Sequence, residues 1–153
     1  WRAFGFRTSS TTALLIGILL GVIGFGLSFV VEAIYFHFVS EPNTQADFQN
    51  AARSGSLSLL LLVFTGAILG PLGEEFVFRG VIGSALNRHG AWVGVLGSAL
   101  LFAAVHGPSV IFFDALLIGI LTGILFRRAG SIWPPILLHI VYNGLHIFHY
   151  STF

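Results

Sequence analysis

Hydrolysis of an amide asks two things of a protein: a base for water and donors for the oxyanion that follows. The chain holds residues of each kind. Glu74 stands in Gly73-Glu74-Glu75-Phe76-Val77-Phe78-Arg79, His106 closes an apolar run, and His139 precedes Asn143 by four residues. Glu74 has the chemistry of a base for water. A protonated imidazole and an amide, His139 and Asn143, are donors for developing negative charge, and their i, i+4 spacing puts both on one helix face. Glu75 and Arg79 share that spacing, which suits a carboxylate–guanidinium pair bracing the helix beside Glu74. Adjacent glutamates point about 100° apart on a helix, so Glu74 and Glu75 are expected to do different work. If a metal is used, Glu74, His106 and His139 make a His₂Glu zinc set with one open position. No cofactor is needed if the glutamate activates water unaided. H-E-x-x-H is absent, so such a site would not be of the zincin type.

What positions these residues follows from composition. Of 153 residues, 56% are hydrophobic and 8% charged, against about 25% charged in ordinary soluble domains. So few charges cannot coat a water-soluble globule, and the excess apolar surface must face lipid. The net charge of +1 gives no electrostatic case for binding nucleic acid. Without Cys there is no disulfide, no thiol nucleophile and no thiolate-ligated metal. The chain begins at Trp1 and has no Met, which reads as a processed or excised core.

Five apolar stretches are set against the ~20 residues that cross a bilayer. They run from about residue 12 to 38, from 57 through the Glu74–Arg79 stretch, and over 91–105, 110–126 and 132–148. The polar residues 40–56 read as an extramembrane loop. Backbone groups cannot stay unpaired in lipid, and no run alternates as a barrel strand would, so the runs are expected to be helices. Gly17 and Gly21, Gly90 and Gly94, and Gly119 and Gly123 have the spacing that allows close helix contact in membranes. The expected fold is all-α: a polytopic transmembrane bundle of about five spans. Residues 1–56 would form an N-terminal segment with one transmembrane helix and a loop, and 57–153 the catalytic transmembrane core.

With the second and third runs as a hairpin turning at His89-Gly90, Glu74 and His106 both lie roughly 22–24 Å along the helix axis from the turn. His139 and Asn143 lie roughly 12–20 Å along the fifth run, overlapping that depth. Membrane-embedded ionisable residues are expensive and functional by default. Orientation follows from arginine: Arg2, Arg7, Arg79, Arg88, Arg127 and Arg128 fall on one side and Arg53 on the other, which the positive-inside rule reads as N-terminus in. Asp114 is expected near the outer interface, solvated or capping. His146 and His149 are expected to be interfacial, His37 and His89 solvated, Phe102 to pack, and Trp1, Trp92 and Trp133 to anchor at the interfaces.

Glu74-Glu75-x-x-x-Arg79, Phe102-x-x-x-His106 and His139-x-x-x-Asn143 resemble, in order and approximate separation, the three motifs of the CPBP family. That family comprises CAAX-type prenyl endopeptidases and bacteriocin-processing enzymes and is also called Abi. Arg128-Ala129-Gly130-Ser131-Ile132-Trp133-Pro134-Pro135 looks like its approach to the third motif, and the resemblance spans about residues 57–148. It implies a CAAX-protease-like core in a multi-pass protein, expected in a prokaryotic plasma membrane. It further implies an intramembrane endopeptidase acting on a membrane-associated or lipidated peptide or protein. Glu74 would activate water with help from His106, His139 and Asn143 would form the oxyanion hole, and Glu75 and Arg79 would support the site. The family is also commonly labelled metalloprotease. The cavity is expected to open towards the cytoplasm or laterally to lipid. Two rivals remain on the residues alone: a small proton- or cation-coupled transporter and a non-catalytic membrane scaffold. No inverted repeat supports the first.

Overall fold

Small residues on one face of an apolar helix and large ones on the other mark a helix packed against protein and wrapped in lipid. The first long helix has that pattern. In the computed structural model, which describes residues 1–152, α1 (Thr11–Phe38) buries only Gly17, Gly21, Gly24 and Ser28. Leu15, Leu19, Val30 and Ile34 point outward. Ser10 caps its start by accepting from the Ala13 N–H. Phe153, the last residue of the expected 57–153 unit, lies outside the described residues.

The described residues form six helices and no strand. After α1 come the short α2 (Ala46–Arg53) and the 32-residue α3 (Ser56–Asn87). α4 (Ala91–Val105), α5 (Val110–Ala129) and α6 (Trp133–Thr152) complete the bundle. The stretch expected as a plain loop thus contains an eight-residue helix, α2, of about two turns. It packs against the end of α6, where Ala52 is buried and the Phe48 ring meets Tyr150 edge-on.

α1, α3 and α5 are long and apolar enough to cross a membrane, making this an integral membrane protein. α4 is apolar but has 15 residues, about 22 Å of rise, and stops short of a full crossing. α6 is less apolar because it is the central helix. It packs against α1, α2, α3 and α5 and buries Ile136, Leu138, His139, Tyr142 and Ile147. Pro134 and Pro135 sit in its first turn, where a missing N–H breaks no helical bond.

Close approach is built in by glycine. A Cβ on Gly21 would stand 2.6 Å from Leu138 O, and one on Gly119 would stand 3.0 Å from Ala99 Cα. These contacts join α1 to α6 and α5 to α4. The N-terminal residues are tied to the α5–α6 turn, where Ile132 N–H donates to Gly5 O and Ser131 Oγ to Arg7 O. α3, α4, α5 and α6 then enclose a space whose one end is covered by α2.

Candidate active site

α3 is not a regular helix. Val63–Leu69 and Phe76–Gly83 are wound in the wide π register, and between them lies the short α-helical piece Gly70–Glu75 that carries both glutamates. In the first wide stretch Gly70 N–H bonds Thr65 O, five residues back. The next bond of that register would join residue 71 to Gly66 O. Pro71 has no N–H, and Gly66 O instead accepts from Asn143 Nδ2 at 2.9 Å. The proline gap in α3 is thus filled by a side chain of α6. Such π insertions are frequent at functional sites.

One turn further on, Glu75 and Arg79 are fully buried. Arg79 Nε lies 3.1 Å from Glu75 Oε2, pairing the charges without hydrogen-bond alignment. Arg79 Nη2 donates to Gly119 O at 3.2 Å, and the guanidinium sits 4.6 Å above the centre of the Phe102 ring. Arg79 therefore does not reach an interface, and it drops out of the arginine count that orients the chain.

Glu75 has a second partner. His139 Nδ1 donates to Glu75 Oε1 at 2.9 Å, which fixes the imidazole ring and turns Nε2 towards Glu74 Oε2, 3.6 Å away. His139 is thus suspended between the two neighbouring glutamates, the buried one anchoring it and the solvent-reached one facing it. The side chain of Glu74 is 36% exposed, that of Glu75 0%. Sequence spacing gave Glu75 an arginine partner; its bond to His139, 64 residues away, left no trace in spacing.

His106 follows the last residue of α4, and Gly107 at φ 87° turns the chain out of the helix ahead of Pro108. Its Nδ1 is 2.7 Å from Phe102 O. A carbonyl only accepts, so Nδ1 carries the hydrogen and Nε2 is left for the cavity. Phe102, expected to pack, does so against four partners: Phe78, Arg79, His106 and His139.

Glu74, His106, His139 and Asn143 all line one cavity of about 320 Å³. Phe48, Phe102, Ile111, Ala115, Ile118 and Ile147 give it an apolar wall. Among the described residues no three His, Cys, Asp or Glu side chains gather as a metal site would require. Glu74, His106 and His139 thus are not gathered as a three-ligand set.

The cavity lies at the α2 end, lined by Thr44 and Gln45 as well as by the first turns of α5 and the last of α6. Arg2, Arg7, Arg88, Arg127 and Arg128 are all at the other end of the bundle. The cavity and the arginine-rich end therefore lie towards opposite ends of the bundle. Asp114 also departs from expectation. It is 6% exposed, lines the cavity and caps nothing, since Ser109 Oγ accepts from Ile111 N–H at the start of α5. His146 is packed between helices: Ser28 Oγ donates to Phe25 O and so accepts from His146 Nε2 at 3.1 Å. His37 and His89 are exposed, as expected.

Residues 56–145 match the family model described as Type II CAAX prenyl endopeptidase Rce1-like. The match runs from the start of α3 to within α6 and takes in both glutamates, Arg79, both histidines and Asn143. Neither a curated protein nor a solved structure matches the chain. With more than half its length matched and an all-helical membrane bundle around the matched segment, the chain belongs to the Rce1-like type II CAAX prenyl endopeptidases, a family of membrane proteases.

Proposed function

We propose that the chain hydrolyses a peptide bond in a membrane-associated substrate, with water activated by Glu74 inside the α3–α6 cavity. The observation that carries this reading is the convergence of four side chains from three helices on one cavity, with a buried Glu75 holding His139 in place behind them.

In this reading water binds between Glu74 and His106 Nε2. Glu74 takes its proton as the oxygen attacks the carbonyl carbon of the substrate. The resulting oxyanion accepts from His139, which as an imidazolium donates from Nε2, and from the Asn143 amide hydrogen not spent on Gly66 O. Glu74 then returns the proton to the leaving amine, so no proton is left over. Glu75 and Arg79 act through His139 and touch no substrate. The apolar wall would take up an amphiphilic or lipidated segment.

The test is cleavage of a peptide library by the protein in proteoliposomes. Glu74→Gln should lower turnover about 100- to 10,000-fold, the range of a lost general base, and His106→Ala should also reduce it. Undiminished cleavage by both variants would end the proposal.

A further inference from the structure

A buried carboxyl without a partner is costly, and a binding cavity is where that cost is recovered by ligand. Asp114 is such a group. It is more than nine-tenths buried, its Oδ1 has no hydrogen-bond partner, and it lines the same cavity as Glu74. The charged groups of the active site do not serve it, since Arg79 is paired with Glu75 and bonded to Gly119 O.

Next to this cavity is a second one of about 440 Å³, and Thr44, Gln45, His146 and Tyr150 line both. Glu32 and Glu41 face the second chamber, as do Arg53 and His149. Arg53 Nε is bonded to Tyr150 O at 2.8 Å. Glu41 accepts from Tyr35 OH and from the Val110 N–H. Glu32 stands near enough to interact electrostatically with Asp114. Glu32, Glu41, Asp47 and Asp114 all lie at this end of the bundle, against the single arginine Arg53.

We infer that Asp114 is a specificity-determining residue that receives the cationic side chain of a lysine or arginine near the scissile bond. This rests on the proteolytic reading of the cavity and names its substrate class. Ile111, Ala115 and Ile118 provide an apolar channel for the aliphatic stem, and the Asp114 carboxylate takes the charged head. The acidic second chamber draws a basic segment towards the cavity. A neutral side chain in this position leaves the carboxyl unpaired, and the penalty falls on the wrong substrate.

The experiment uses decanoylated, N-acetylated pentapeptides with lysine at each position in turn, each against its norleucine counterpart. Acetylation removes the free amino terminus as another source of positive charge. Wild-type protein in proteoliposomes should favour one lysine peptide by about tenfold or more in kcat/KM, mostly through KM. Asp114→Asn should bring that ratio to within about twofold, and Asp114→Ser should do the same. Binding of the same pair to Glu74→Gln reads the preference without turnover. There the lysine peptide should still bind more tightly, and adding Asp114→Asn should remove the difference. A preference that persists in both Asp114 variants, or equal binding by Glu74→Gln, overturns the assignment. Selective binding without any cleavage by wild type would leave Asp114 standing and overturn the proteolytic reading instead.

Discussion

Glu74 and Glu75 are chemically identical and one residue apart, yet their surroundings separate their work. Glu74 meets solvent in the cavity, whereas Glu75 is sealed between Arg79 and His139. Removing one partner of a buried ion pair strands the other charge and costs about 3–5 kcal/mol. Glu75→Gln should therefore lower the thermal midpoint in detergent sharply and activity with it. Glu74→Gln should leave the midpoint near that of wild type. Equal midpoints for the two variants would contradict the division of labour. The Glu75–Arg79 pair was legible as an i, i+4 spacing, because both residues lie on one helix. The Glu75–His139 bond was not, because it depends on how α3 and α6 rotate against each other. Asp114 was misjudged for a related reason. One turn into α5 is an interfacial depth for a lone helix, but here the residue is buried and lines the cavity together with Tyr142 and His146 of α6.

At the scale of the element, α3 departs from regularity where it carries the site. A hydropathy reading sees one long apolar run, and the two wide turns leave no mark in it. Pro71 was the visible clue, since it removes a donor; which carbonyl it orphans depends on the local register. Asn143→Ala should leave Gly66 O without its donor, at about 1–3 kcal/mol. Pro71→Ala restores a main-chain N–H that competes for that oxygen. In a double-mutant cycle the two changes should couple by about 0.5–3 kcal/mol, with Asn143→Ala milder in the Pro71→Ala background. Additive effects would show that the proline gap and the Asn143 bond are unrelated. α4 ends at Val105, short of a full crossing, and the residue that follows it, His106, lines the cavity.

For the whole molecule, composition alone shows a membrane protein, and five apolar runs correspond to the five long helices. The place of α1 was less visible. Gly17 and Gly21 have a spacing common in membrane helices, and only the structure shows that they meet Pro134 and Leu138 of the site-bearing α6. Gly21→Leu should push α1 off α6 and lower the thermal midpoint, although α1 contributes no residue to the set around Glu74. An unchanged midpoint would argue against this packing. The bundle is also polar along its axis, with five arginines at one end and the cavity at the other. Because the chain has no Cys, single cysteines report sidedness cleanly. With the arginine-rich end inside, a membrane-impermeant maleimide should label Asn50→Cys in intact cells and His89→Cys only after permeabilisation. The reverse pattern would turn the cavity towards the cytoplasm.

The central claim is that water held at Glu74, and no protein nucleophile, attacks the substrate. A single turnover in ¹⁸O-labelled water, with protein in excess over peptide, tests it most directly. The new carboxyl terminus of the product should carry one ¹⁸O from the first turnover, and Glu74 should carry none. An unlabelled product in that turnover, with ¹⁸O appearing in the Glu74 side chain, would mean attack by the carboxylate itself and contradict the account.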